Sequence, residues 1–142
     1  MTHSILLVDD SLESLELMAS QLEDKYAVCA VTSISEAREK LTQTRFHVAF
    51  VDLVLPGENG LDLIRDITAQ YPFMAVIAIS GQASIETAVE AMKLGASDFI
   101  VKPVRNLELL QIMVEKMLQT QWLIAENRRL NAMIHKELDT NM

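Results

Sequence analysis

Apolar and polar positions along this chain fall into alternating blocks. Short apolar runs lie at 4–9 (SILLVD), 27–32 (AVCAVT), 47–53 (HVAFVDL), 74–80 (MAVIAIS) and 97–103 (SDFIVKP). The first and the last three are almost unbroken, as strands covered on both faces of a parallel sheet are. Between them the apolar residues take helical spacing. Leu12, Leu15, Met18, Ala19 and Leu22 share one face, as do Ile34, Ala37 and Leu41, and then Leu61, Ile64 and Ile67. Ile85, Val89 and Met92 form a fourth stripe that stops at Gly95, a suitable helix C-cap. Strand and helix alternate five times, which predicts a doubly wound α/β domain.

The last helical pattern is too long for that domain. After KPVRNLE it meets no Gly or Pro and runs to about Lys136, whereas about four turns would suffice. Leu107, Leu110, Val114 and Met117 in its first half suit packing on the sheet. In its second half Leu123, Asn127, Leu130 and Ile134 are spaced by four, three and four. This is a short a/d seam with Asn127 at an a-like position, where a buried Asn fixes register and favours two parallel strands. Residues 1–120 therefore read as the domain and 121–142 as an extended C-terminal linker helix that pairs two copies. The plainer alternative is a solvated amphipathic tail.

Composition narrows the class. The chain has 142 residues, half of them apolar and 23% charged, enough for one domain with a core and unlike a disordered segment. A formal net charge of −8 argues against broad nucleic-acid binding by this segment, though not by anything attached to it. Cys29 is the single cysteine, so no internal disulfide can form and a reducing compartment is compatible. No apolar run reaches membrane-spanning length, and the apolar run of MTHSILLVDD is too short for a signal peptide. A cytoplasmic protein is expected.

Chemistry concentrates at strand ends. In doubly wound sheets ligands bind beyond the carboxyl ends of the strands, where strand order reverses. If the order is 2-1-3-4-5, Asp9 and Asp10 after the first strand and Asp52 at the end of the third converge there. Taken alone, Asp10, three residues before Glu13, reads as a helix cap and Asp52 as a turn former. Three carboxylates in one crevice need a counter-charge, and oxygen-only ligands suit Mg²⁺. Ser80 ends the fourth strand, and Lys102, before Pro103, ends the fifth. Together these groups form a phosphoryl-transfer site with Asp52 as carboxylate nucleophile and Lys102, Ser80 and Mg²⁺ around the phosphoryl oxygens.

The ordered set LLVDDS, VDLVLPGENGLDLI and ISGQASIETAVEAMKLGASDFIVKP with its trailing helix resembles the receiver domains of bacterial two-component response regulators over about residues 4–118. The resemblance implies a CheY-like (βα)5 fold in which Asp52 accepts phosphate from a sensor histidine kinase. It implies that Asp9, Asp10, Asp52 and the Val54 backbone carbonyl hold Mg²⁺, that Lys102 pairs with the phosphoryl group, and that the Lys102–Pro103 bond is cis. Ser80 and Phe99 would be the switch pair, although from its strand alone Phe99 reads as core. IETAVEAMKLGASDFIVKP and AENRRL look most like the NtrC type, in which the receiver joins a sigma-54-dependent AAA+ ATPase and a DNA-binding domain. Cyclase and phosphatase effectors also follow such helices, and a stand-alone regulator fits too. Val54, two residues after Asp52, has no polar group to position water, so slow loss of the phosphate is expected.

Two other classes fit less well. Haloacid-dehalogenase-type phosphatases also use an Asp nucleophile but need Asp-x-Asp, where this chain has Asp9-Asp10-Ser11. A flavodoxin-like FMN binder needs a hydroxyl- and Gly-rich phosphate loop after the first strand, and an acidic loop would repel the phosphate.

Overall fold

The computed structural model describes residues 2–81 and 85–140, and of residues 136–140 the backbone only. Residues 82–84 of the ISGQAS motif lie outside the described residues. The elements are β1 (Ser4–Val8), α1 (Leu12–Leu22), β2 (Ala27–Val31), α2 (Ile34–Gln43), β3 (Val48–Asp52), β4 (Val54–Leu55), β5 (Glu58–Asn59), α3 (Gly60–Gln70), β6 (Ala75–Ser80), α4 (Ile85–Lys93), β7 (Asp98–Val101) and α5 (Glu108–Thr140). Five strands form a parallel sheet in the order β2-β1-β3-β6-β7. Counted by the long strands alone, this is the expected 2-1-3-4-5.

Alternate residues of the central strands feed two cores. Leu6, Val8, Ala49, Val51, Val76 and Ala78 face α2 and α3, meeting Ala37, Leu41, Leu63, Ile64 and Ile67. Ile5, Leu7, Phe50, Ile77 and Ile79 face the other way, onto Leu15, Met18 and Leu22 of α1 and Leu110, Val114 and Met117 of α5. Each fully buried Leu or Ile here contributes about 1.5–3 kcal/mol relative to exposure. β3 is buried along its whole length, so its unbroken apolar run reflects cover on both faces.

Two expected helix faces are corrected. Leu12 is solvent-exposed, and α1 packs through Leu15, Met18 and Leu22. The stripe Ile85, Val89 and Met92 of α4 faces solvent, while Ala91 is fully buried. Here α4 turns its small residues inward. Gly95 (φ +113°) ends the helix so close to α3 that an added Cβ would lie 2.8 Å from Thr68 Cγ2, and the Thr68 hydroxyl donates to Leu94 O at 2.8 Å. Val54–Leu55 and Glu58–Asn59 form a small antiparallel hairpin, turned by Gly57 at φ +68°.

Candidate functional site

Four strand ends build the site. β1 ends at Val8, and Asp9 follows with no exposed surface. Asp9 Oδ1 accepts from Ser11 N at 2.9 Å, which folds the loop back over the strand end. Ser11 caps α1, its hydroxyl accepting from Ser14 N at 3.2 Å. The cap is thus Ser11 and not Asp10, which leaves the exposed Asp10 carboxylate without that role. β3 ends in Asp52, only 4% exposed, whose Oδ1 accepts from Val54 N at 2.9 Å.

Lys102 joins the two acids. Its backbone N–H donates to Ser80 O at 3.0 Å, tying the end of β7 to the fully buried Ser80 of β6. Its ammonium donates to Asp52 Oδ2 at 2.9 Å and stands 2.5 Å from Asp9 Oδ2. The second contact is a close ion pair, so one ammonium holds both buried acids. The Lys102–Pro103 bond is cis. One oxygen each of Asp9, Asp10 and Asp52 lies within 4.8 Å of the others. Three carboxylates that offer only oxygen form a donor set that suits a hard divalent cation.

Burial shapes the electrostatics. It pushes the Asp52 carboxyl above its ordinary range, the nearby Asp9 charge adding to the effect, while hydrogen bonds from Lys102 and Val54 N and the Lys102 charge oppose it. Burial alone would lower Lys102, but its contacts with Asp9 and Asp52 outweigh that and raise it. Lys102 is therefore a fixed cation clamped between two acids.

The loop after Asp52 packs tightly against the end of β3. Gly60 begins α3 directly against the backbone of Asp52: a Cβ there would come within 2.3 Å of Asp52 O and 2.8 Å of Leu53 Cα. Only glycine permits that approach. Glu58 was missed altogether. Its Oε2 accepts from Ile34 N at 2.8 Å, fastening the hairpin to the start of α2. Val54 leaves its side chain half-exposed beside Asp52. The structure brings together Asp9, Asp10, Asp52 and Lys102, and Phe99 lies on β7 opposite Ala78, partly buried against the core that faces α2 and α3.

Known proteins resemble this chain over most of its length. Residues 5–114 match the response regulator receiver domain family. The chain is 35% identical over 136 residues to the alginate biosynthesis transcriptional regulatory protein AlgB of Pseudomonas putida, covering 95% of this chain and 30% of that protein. It is 38% identical over 133 residues to the nitrogen assimilation regulatory protein NtrX of Azorhizobium caulinodans, covering 92% and 29%. The chain thus spans about 30% of the length of these relatives. Among solved structures, NtrX from Brucella abortus in complex with ADP superposes with a TM-score of 0.85 at 34% identity, over 92% of this chain and 30% of that one. A CheY-like receiver domain protein from Methanospirillum hungatei gives 0.81 at 30% identity, over 85% and 97%. With the acids at the strand ends, the parallel sheet in this order and matches that run through nearly all of its core, the chain belongs to the response regulator receiver domain family.

Proposed function

We propose that this receiver accepts a phosphoryl group on Asp52 from a phosphohistidine of a sensor kinase and passes the change to a downstream effector. The observation that carries the reading is the shared cation: Lys102 bridges Asp9 and Asp52 at the strand ends where a phosphoryl group would arrive. A carboxylate oxygen of Asp52 attacks phosphorus and forms the P–O bond of an acyl phosphate. The P–N bond breaks, and its electron pair returns to the kinase imidazole. Asp9, Asp10, Asp52 and the Val54 carbonyl would hold Mg²⁺, which supplies positive charge against the crowded oxygens. Lys102, released from Asp52 as the acyl phosphate forms, pairs with the new phosphoryl oxygens. Ser80 hydrogen-bonds one of them, and Phe99 turns inward behind it. Forming the acyl phosphate removes the carboxylate charge, the phosphoryl group adds up to two, and the balance biases a two-state surface.

That surface comprises α4, β7 and the first turns of α5. Val89, Met92, Val101, Leu109 and Ile112 are all at least 42% exposed there, an apolar concentration that suits a partner contact. Residues 1–120 act as the receiver and 121–142 as the linker helix, whose seam residues Leu123, Leu130 and Ile134 are about half-exposed in the single chain, which supports a homodimer. The effector is a transcriptional one of the NtrC type, with an AAA+ ATPase and a DNA-binding domain. The protein works in the cytoplasm, and no helix among the described residues is long and apolar enough to cross a membrane. The test is acetyl phosphate with intact-mass detection. Wild type gains one phosphoryl mass when Mg²⁺ is present and none in EDTA, and Asp52→Asn gains none. Equal labelling of Asp52→Asn would sink the assignment.

A further inference from the structure

At the edge of the sheet opposite the acids, α5 is fastened to the domain it leaves. The Gln121 side-chain amide donates to His47 O at 2.8 Å. That carbonyl already accepts from Ala75 N at 3.1 Å, so Gln121 fills its second lone pair. His47 is itself fixed between strands: its N–H donates to Ser4 O at 2.8 Å, and its Nδ1 accepts from Ser4 N at 3.1 Å. Two turns further along α5, the Arg128 guanidinium lies 5.1 Å from the centroid of the Phe73 ring on the α3–β6 loop, within cation–π range. Ala125, between them, lines the same groove.

The direction of these contacts matters. Leu123 and Leu130 stand two positions after Gln121 and Arg128, so at 100° per residue they point about 160° away around the axis. The face that grips the domain and the unpartnered seam are therefore nearly opposite. His47 also directly precedes β3, whose far end is Asp52, about 17 Å along one buried strand.

We propose that Gln121 and Arg128 clasp α5 to the receiver through His47 O and Phe73, making residues 121–135 a rigid extension with a fixed rotational phase in place of a hinged linker. Gln121, Arg128 and Phe73 are positioning residues: they aim the seam away from the domain and keep the two halves of α5 in one orientation relative to β3. The proposal needs neither a phosphoryl group nor a second copy.

Spin labels at Glu39→Cys and Asn131→Cys in a Cys29→Ser background test it. The labelled chain is diluted with unlabelled chain so that only intramolecular distances are read. The clasp predicts one narrow distance peak, and Gln121→Ala broadens it by about twofold or more. Phe73→Ala broadens it likewise, without altering the helix itself. Alanine favours helix at position 121, so melting of α5 is not the expected route. A peak as narrow in both variants as in the parent, or a parent peak already broad, overturns the proposal. Because no phosphorylation is involved, failure here leaves the phosphoacceptor reading intact, and the reverse also holds.

Discussion

Replacing Lys102 with Met keeps the length of the side chain and removes the charge that Asp9 and Asp52 share. The ammonium is 2.9 Å from Asp52 Oδ2, and the two carboxylate side chains are 5% and 0% exposed. At an effective dielectric of about 20, one such pair attracts by about 6 kcal/mol, most of it offset by desolvation. Stripping the partner from a buried pair costs about 3–5 kcal/mol, because a charge is left without compensation. The loss has a pH signature. Burial already holds the Asp52 carboxyl high, and Lys102 opposes that rise, so in Lys102→Met the folded-state value climbs further. A carboxyl raised on folding binds its proton more tightly in the native state, so stability falls as pH rises from the ordinary carboxylate value through the raised one. Urea unfolding in EDTA should therefore show Lys102→Met about 3–5 kcal/mol less stable than wild type near pH 7.5, with the deficit shrinking towards about pH 3.5 as the raised Asp52 carboxyl takes up its proton. A deficit of the same size at both pH values would refute the charge argument and leave only lost packing.

Gly60→Ala forces a methyl group to 2.3 Å from Asp52 O; the urea midpoint should drop by the equivalent of about 3 kcal/mol, and a wild-type midpoint would mean that the loop yields freely. Val54→Glu places a water-orienting carboxylate beside Asp52, so the acyl phosphate, followed by intact mass over time, should decay about tenfold faster or more; an unchanged lifetime would count against the half-exposed Val54 as the cause of slow loss. Leu130→Lys puts a charge in the α5 seam, and light scattering should then give the mass of one chain where wild type gives two; a wild-type monomer would dispose of the dimer.

What could be read from the residues follows from how locally each feature is determined. The central strands were legible because cover on both faces forces unbroken apolar runs such as 48–51, and the acids at their ends were legible because a charged residue stops such a run. The facing of α4 was not legible. An amphipathic stripe reports that a face is apolar without saying what covers it, and here Ile85, Val89 and Met92 are left to solvent while Ala91 packs. The β4–β5 hairpin has two residues per strand, too few for any period to register. Asp10 as cap lost to Ser11, which stands directly before the first helical residue and bonds the turn itself. Gln121 gave no signal, since its partner is a backbone carbonyl 74 residues away in sequence. The closeness of Gly60 to Asp52 emerges only when β3 and α3 are packed.

The central claim is that the phosphoryl group resides on Asp52 and not on its acidic neighbours. Borohydride reduction of the acetyl-phosphate-treated protein converts an aspartyl phosphate to homoserine, which peptide mass spectrometry locates by residue. The account predicts homoserine at position 52 alone, dependent on Mg²⁺ and lost in Asp52→Asn. Homoserine at Asp9 or Asp10 in the wild-type chain would contradict it.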